Sequence, residues 1–300
     1  MASRAQPAGT ALPVAVATLG IALFSAMDVV MKGLSLAVGA YNAVFWRMLI
    51  GVALSGIVYL VARAPRPSPA ALRIHLARGA VSSVMAICFF WGLARVPLAE
   101  AVALTFVAPL AALYLAAVLL REPVGRRAVA ASLIGFAGVV VILAPRAASP
   151  GDRDLWGAAA ILVSALLYAY NIILMRQQAQ AARPLEIAFF QNLVVAACLA
   201  AGAPFLAVVP EAVHLPAMAL AALLAFASLL LLAWSYARAE AQRLAPVEYT
   251  ALIWAALFGF LVFNEQVGAS TIIGAGLIVA GCALAAGADR SAAPAAEAAL

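Results

Sequence analysis

Charged side chains are scarce in this 300-residue chain: Asp, Glu, Lys and Arg together make up 10% of it, whereas hydrophobic residues make up 67%. Soluble globular domains carry about 25% charged residues. This composition, with a mean hydropathy of +1.10, therefore excludes a water-soluble fold, and most of the surface must face lipid. A membrane-crossing helix needs about 20 apolar residues. The chain thus has room for about ten such helices and none for a large soluble domain.

The residues of common nucleotide, metal and disulfide sites are also few. The only lysine is Lys32, so no G-x-x-x-x-G-K-[ST] loop is available to bind ATP. The two histidines, His75 and His214, lie at the ends of apolar segments, and neither an H-E-x-x-H nor a G-x-S-x-G motif occurs. The three cysteines lie far apart in apolar runs, at positions 88, 198 and 282. No cofactor and no metal are implied.

Apolar runs separated by charges, proline and glycine predict an all-α polytopic membrane protein with ten transmembrane helices. The runs are continuous rather than alternating, and they are about twice as long as a barrel strand, which favours helices. The predicted spans are 13–34, 41–62, 74–95, 98–120, 127–144, 155–176, 185–209, 216–238, 244–264 and 269–287. We expect a cytoplasmic segment at 1–12, an external linker at 145–154 and a disordered cytoplasmic tail at 288–300.

The basic residues predict the orientation of these spans. With the N-terminus inside, 13 of the 18 lysines and arginines fall in cytoplasmic segments and four in external ones, while Arg47 lies within the second span. Cytoplasmic loops of membrane proteins carry such an excess. Both termini are therefore predicted to be cytoplasmic, with the protein in the inner membrane of a bacterium. Scattered arginines account for the net charge of +6, so no nucleic-acid partner is expected.

The second half of the chain repeats the first at a constant offset of 143 residues. The corresponding pairs are Ala26/Ala169, Asp28/Asn171, Trp91/Trp234, Ala94/Ala237, Arg95/Arg238, Glu122/Glu265, Val124/Val267, Gly125/Gly268 and Gly138/Gly281. Residues 13–144 and 155–287 are thus predicted to form two repeats of five helices. Because five is odd, the copies cross the membrane in opposite directions. Inverted repeats are typical of secondary transporters that bind their substrate between the repeats.

Several short segments of the two repeats match a known pattern. They are Phe24–Asp28, Phe45–Arg47, Trp91–Glu100, Phe106–Pro109, Arg121–Glu122 with Gly138, and Glu248–Trp254 with Glu265 and Gly281. On these residues the chain resembles the EamA-type transporters of the drug/metabolite transporter superfamily, over about residues 13–287. The resemblance implies a ten-helix carrier with helices four and nine near the central pathway. That family carries amino acids, nucleotide-like metabolites, vitamins and drugs, so the resemblance leaves the substrate open.

Four ionisable side chains stand out within the apolar spans, where a charge costs about 2.5–3.5 kcal/mol and usually faces a cavity or a partner. Asp28 and Lys32 share a helix face and could form an ion pair, or Lys32 could reach the membrane interface. Arg47 could pair with Asp28 or bind a substrate carboxylate. Glu248 has an uncharged repeat mate, Thr105, which favours a substrate or proton role. Stabilisation by a helix N-terminus is the alternative for Glu248.

Aromatic and uncharged polar side chains complete the predicted site. Trp91 and Trp234 are either membrane-interface anchors or walls of a substrate cavity. The polar groups of helices six and seven bind either substrate or a neighbouring helix. The residues predicted to bind substrate are Asp28, Arg47, Trp91, Thr105, Tyr168, Asn171, Gln191, Trp234, Glu248, Tyr249 and Trp254. Glu122 and Glu265 are predicted to be structural, because each falls at a helix end beside a glycine.

We therefore predict a secondary transporter that moves a small polar or amphiphilic metabolite by alternating access between the two repeats, as an exporter of amino acids or related metabolites. Import of a vitamin or a nucleoside-like metabolite is the alternative. A membrane-embedded enzyme is disfavoured because the candidate groups are spread over several helices without a nucleophile–base pair. The expected partners are the small-molecule substrate, the lipid bilayer and, as a further option, coupled protons.

Overall fold

The chain folds into apolar α-helices, and a computed structural model describes residues 11–63, 65–120, 126–147, 154–239, 244 and 247–292. The helices of the first half are α1 (Ala11–Val38), α2 (Ala40–Val61), α3 (Pro69–Leu93), α4 (Leu98–Thr105), α5 (Ala108–Leu120) and α6 (Arg126–Ala147). Those of the second half are α7 (Asp154–Ala181), α8 (Pro184–Ala200), α9 (Ala203–Leu206), α10 (Leu215–Tyr236), α11 (Thr250–Phe263) and α12 (Ala269–Ala292), with a 3₁₀ turn at Ala212–His214.

The prediction of an all-α polytopic membrane protein is confirmed. Among the described residues, five helices are long and apolar enough to cross a membrane, and five further apolar helices are shorter. No strand occurs in the described ranges. Each of the ten predicted spans therefore has a helical counterpart.

Helix boundaries follow local sequence signals. At the start of α3 the Ser68 hydroxyl accepts a hydrogen bond from the backbone N–H of Ala71 at 3.1 Å, and Pro69 occupies the first helical position. Gly39, with φ of 79°, separates α1 from α2. α11 ends at Asn264, which adopts the left-handed conformation with φ of 53°.

The fourth predicted span is interrupted. α4 ends at Thr105, a turn at Phe106 and Val107 follows, and α5 begins at Ala108. Pro109 explains the interruption, because it has no N–H to donate to the carbonyl of the residue four positions earlier. Discontinuous helices of this kind often border the substrate path of secondary transporters.

Two predicted connecting segments differ in extent from the structure. α6 continues to Ala147 and α7 begins at Asp154, so the predicted linker at 145–154 overlaps both helices, and residues 148–153 lie outside the described residues. α12 continues to Ala292, so helix occupies the beginning of the predicted tail at 288–300. The remainder of that tail, residues 1–10 and Glu122 also lie outside the described part of the chain.

The helices of the two halves pack on one another in equivalent pairs. α1 packs along α10 and α3 packs along α7. At the offset of 143 residues α1 corresponds to α7 and α3 corresponds to α10, so the two contacts are equivalent. α2 packs on α8 and α6 on α12, so each of these helices contacts its own repeat mate. This is the contact pattern of two repeats related by a two-fold axis.

Glycines allow the closest of these contacts. A Cβ atom on Gly138 of α6 would lie 2.5 Å from the carbonyl oxygen of Gly274 on α12, and a Cβ on Gly92 of α3 would lie 2.5 Å from the carbonyl oxygen of Gly157 on α7. Small residues let transmembrane helices approach until their backbones touch. The contacts between halves therefore depend on these positions.

The inverted arrangement makes a prediction about membrane topology. We expect reporter fusions after Arg127 and after Ser270, which are equivalent positions of the two repeats, to report opposite sides of the membrane. Arg127 should be cytoplasmic because basic residues accumulate on that side. A third fusion after Asp154 serves as the external control. Two repeats in parallel orientation would instead place both equivalent fusions on one side.

Candidate functional site

A cavity of about 130 Å³ lies between the two halves of the bundle, among α2, α3, α8 and α10. Its polar lining comes from Arg47, Arg78, Gln191 and Asn192, and its apolar lining includes Phe226 of α10. Small-molecule pockets commonly enclose roughly 300–1,000 Å³. The surrounding helices are therefore nearly closed in this structure, and they must separate to admit a metabolite of ordinary size.

Two unsatisfied polar atoms belong to side chains in the wall of this cavity. Arg47 on α2 is 9% exposed, and its Nε has no hydrogen-bond partner. Its Nη2 lies 4.0 Å from the sulfur of Met48, which is a weak acceptor. The Oε1 atom of Gln191 on α8 is also buried without a partner. Buried polar groups are normally hydrogen-bonded, so these atoms mark a place where a polar ligand would be stabilised.

Asp28 on α1 is buried, and its Oδ1 atom has no hydrogen-bond partner. Asp28 and Arg47 attract each other electrostatically. However, no ion pair between described residues joins Asp28 to Arg47 or to Lys32. The two pairings considered from the sequence are therefore not formed as contacts, and no carboxylate in the described part of the chain forms an ion pair with the Arg47 guanidinium.

A polar network on α3 and α7, which the sequence reasoning missed, holds the second arginine of the cavity. Arg78 Nε donates to Oδ1 of Asn171 at 3.3 Å, and Arg78 Nη1 donates to Oε1 of Gln178. Ser82 also donates to Asn171 Oδ1, at 3.4 Å. Asn171, predicted to bind substrate, thus positions Arg78. The spacing of residues 75, 78 and 82, which places them on one face of α3, is the signal that could have indicated this network.

His75 extends this network to the start of α8. It is fully buried, its Nε2 lies 3.0 Å from Oε1 of Glu186, and its Nδ1 lies 2.6 Å from Nε2 of Gln178. Its ring stacks on Phe190 with centroids 4.9 Å apart. His75 is therefore a fully hydrogen-bonded interior residue, although its position at the end of a span gave no indication of this.

The break between α4 and α5 brings repeat mates together. The rings of Phe106 and Tyr249, which are 143 residues apart in sequence, meet edge to face with centroids 5.3 Å apart. Cys282 donates from its sulfur to the carbonyl of Phe106 at 3.4 Å. Thr105, predicted to bind substrate, donates to the carbonyl of Val102 at 2.7 Å. Contact between repeat mates indicates that the two-fold axis passes near this break.

Glu248 is exposed and has one identified partner, the Tyr236 hydroxyl, which donates to its Oε1. Tyr168 on α7 lies within electrostatic range of both Glu248 and Arg78. Two of the predicted site residues, Tyr168 and Glu248, thus lie near each other and near an arginine of the cavity. Glu248 is not among the residues that line the cavity itself.

The predicted tryptophans have other environments. Arg95 stacks over Trp91 at 3.5 Å, and Arg238 stacks over Trp234 at 4.2 Å, so the two repeat-mate pairs form the same cation–π contact at helix ends. This favours the interface-anchor interpretation. Trp254 stacks on Phe258 and packs against the N-terminal half of α1. None of the three tryptophans lines the cavity.

Lys32 is buried in an ion pair with Glu265. It also donates to the carbonyl of Val96 at 2.6 Å. The second carboxylate oxygen of Glu265 accepts from the backbone N–H of Leu98 at 2.7 Å, at the start of α4. Glu265 therefore caps the start of α4, a helix of the other repeat.

Known proteins share this architecture. The model of the EamA-like transporter family matches twice, over residues 11–144 and 155–287. The pseudopaline exporter CntI of Pseudomonas aeruginosa is 27% identical over 275 residues, which is 90% of this chain and 94% of the exporter. An S-adenosylmethionine uptake transporter of Rickettsia bellii is 24% identical over 87% of this chain and 88% of its own. A protein crystal structure is similar in fold, with a TM-score of 0.60 and 22% identity over 92% of this chain and 98% of its own.

Proposed function

Because the chain belongs to the EamA-like transporter family, we propose that it is a secondary carrier for a small metabolite that bears a carboxylate, such as an amino acid or an amino-acid derivative. Members of this family are transporters and not enzymes. The carrier is proposed to work by alternating access between its two repeats, in the inner membrane of a bacterium, with both termini in the cytoplasm.

The pair of arginines in the inter-repeat cavity carries the proposal. Arg47 and Arg78 come from adjacent helices of the first repeat, and Gln191 faces them from the second. An arginine guanidinium matches a carboxylate with paired, charge-assisted hydrogen bonds. The unpaired Nε of Arg47 needs an acceptor and the unpaired Oε1 of Gln191 needs a donor, such as an ammonium group. An amino acid carries both groups.

Export is the direction we propose, with uptake of a nucleoside-like metabolite as the second candidate. The named relatives include an exporter and an uptake transporter, so both directions occur among similar chains. S-adenosylmethionine joins a nucleoside to an amino acid, and only its amino-acid part would satisfy two arginines. The carboxylate is therefore the feature that the two candidates share.

Matched ligand pairs test this proposal on the purified protein in detergent. The melting temperature is measured with amino acids and with their amides, for example leucine against leucinamide and phenylalanine against phenylalaninamide, and with adenosine. A ligand that binds the folded protein raises its stability. We expect at least one amino acid to raise the melting temperature and its amide to have no effect. Stabilisation by amides equal to that by acids would contradict the proposal, and stabilisation by adenosine alone would favour the second candidate.

Glu248 is proposed to contact the ammonium end of the substrate when the helices separate. It lies near Tyr168 and Tyr236, which offer aromatic surface and hydroxyl groups beside the carboxylate. Carboxylates and aromatic rings both stabilise ammonium groups. We expect Glu248→Gln, which keeps the shape and removes the charge, to insert normally and to lower flux several-fold in reconstituted vesicles. Glu211→Gln, at an exposed position, is the matched control and should leave flux unchanged. Unchanged flux in Glu248→Gln would instead favour a role for Glu248 at the helix end.

A further inference from the structure

The hydrogen bonds around Gln178 fix which atom of His75 carries a proton. Arginine can only donate hydrogen bonds, so the Gln178 oxygen must face Arg78, as it does here. The Gln178 amide nitrogen then donates to Nδ1 of His75 at 2.6 Å. Nδ1 must therefore offer its lone pair, and the neutral ring carries its proton on Nε2. That proton points to Oε1 of Glu186 at 3.0 Å.

Protonation of His75 conflicts with this arrangement. A second proton on Nδ1 would meet the amide N–H group of Gln178, donor against donor. The conflict is relieved when the amide rotates by half a turn, so that its oxygen accepts from Nδ1. The rotated amide then presents its N–H group to Arg78 Nη1, which is another donor, and this hydrogen bond of Arg78 is lost.

The network spans the distance between water and the cavity. Glu186 lines a surface pocket together with Arg63 and Arg183, at the predicted cytoplasmic end of the bundle. Arg78, at the other end of the network, lines the inter-repeat cavity. The chain Glu186, His75, Gln178 and Arg78 therefore joins an accessible surface to the proposed substrate site through buried groups.

The charged and titratable groups around His75 come from several helices. Glu186 faces it from α8, and Tyr59 of α2 interacts electrostatically with Glu186. Arg63 and Arg183 lie beside Glu186 at the surface pocket. Arg78 on α3 acts through Gln178. Glu186 can accept from Nε2 in either protonation state of the ring, whereas the amide nitrogen of Gln178 conflicts with a proton on Nδ1.

We propose that His75 is a proton-binding site linked through Gln178 to Arg78, so that proton binding at His75 and release of Arg78 into the cavity favour each other. This rests on the proposed function in one respect, namely that a substrate carboxylate then takes the place of Gln178 on Arg78. Linkage is reciprocal, so an anionic substrate would promote proton uptake at His75. Histidine is suited to such a role because its charge changes between about pH 5 and 8.

Nitrogen NMR of the two-histidine chain tests the proposal without any substrate. Protein labelled with ¹⁵N-histidine is placed in lipid nanodiscs as the His214→Asn variant, so that all ring signals come from His75. At pH 8 we expect Nε2 to be protonated and Nδ1 to be bare, and Nδ1 to take up a proton as the pH falls. A ring with its proton on Nδ1 at pH 8 would overturn the proposal.

A double-mutant cycle then measures the link to Arg78. Arg78→Met should raise the midpoint of His75 protonation, because the Gln178 amide becomes free to rotate. In a Gln178→Met background Arg78→Met can affect His75 only electrostatically. The rise in the midpoint of His75 protonation should then be smaller by about one pH unit. Equal effects in both backgrounds would overturn the link. Because no transport is measured, a failure here is distinct from a failure of the proposed carrier function.

Discussion

Replacing Arg47 by Gln is expected to reduce substrate flux by about tenfold or more in vesicles that contain the purified protein. Charge-assisted hydrogen bonds contribute about 1.5–3 kcal/mol, and 1.4 kcal/mol corresponds to a factor of ten in affinity. Arg47 is buried with an unpaired Nε in the cavity wall, so its substitution removes a donor from the site itself. The flux is measured by counterflow of a labelled substrate.

Three further variants separate the effects of charge, of hydrogen-bond geometry and of folding on the flux. Arg47→Lys keeps the charge but loses the paired hydrogen bonds of the guanidinium, so we expect an intermediate flux. Arg73→Gln, at an exposed position of α3, serves as the matched control and should leave flux unchanged. Adding Asp28→Asn to Arg47→Gln tests whether poor folding contributes, because it removes the buried carboxylate that Arg47 attracts electrostatically. If Arg47→Gln folds normally and transports at the wild-type rate, the cavity does not bind the substrate through this arginine.

Replacing Lys32 by Met is expected to give the largest loss of stability. Removing one partner of a buried ion pair costs about 3–5 kcal/mol, because the other charge is left uncompensated. The Glu265 side chain is 19% exposed, so we expect a loss near the lower end of this range. Lys32 is 4% exposed and pairs with Glu265, and Glu265 in turn caps α4 through the Leu98 N–H. The loss is measured as a decrease in the free energy of unfolding in detergent micelles.

The double variant Lys32→Met with Glu265→Gln provides the control for this prediction. It removes both charges and keeps an oxygen that can accept from Leu98, so it should recover most of the stability. Because the ion pair joins α1 to the segment between α11 and α12, it holds the two repeats together at the predicted external end. A double variant as unstable as Lys32→Met alone would show that the charge pairing is not the cause.

The helical architecture could be read from the sequence because it follows from local properties. Apolar runs of about 20 residues set the number of spans, and the offset of 143 residues, seen in pairs such as Trp91/Trp234, set the repeat. The identical stacking of Arg95 on Trp91 and of Arg238 on Trp234 shows how well the two copies correspond. The interruption at Phe106 was missed, although Pro109 is the residue that explains it.

The polar contacts could not be read in the same way because they join residues that are distant in sequence. Lys32 and Glu265 are 233 positions apart, and His75 and Glu186 are 111 apart. Spacing along one helix suggested a pair between Asp28 and Lys32, but the packing of α1 against the other repeat gives Lys32 a different partner. Arg78 is one of the 13 basic residues assigned to the cytoplasmic side, and only the packing of α3 on its neighbours brings it to the cavity.

Flux through liposomes that contain only this protein tests the central claim most directly. The vesicles are loaded with a mixture of labelled amino acids, without ATP or any other energy source, and their contents are followed after dilution. We predict that at least one amino acid leaves several-fold faster than from protein-free liposomes, and that Arg47→Gln vesicles lose it more slowly. Release of every amino acid at the same rate with and without the protein would contradict the assignment of an amino-acid carrier.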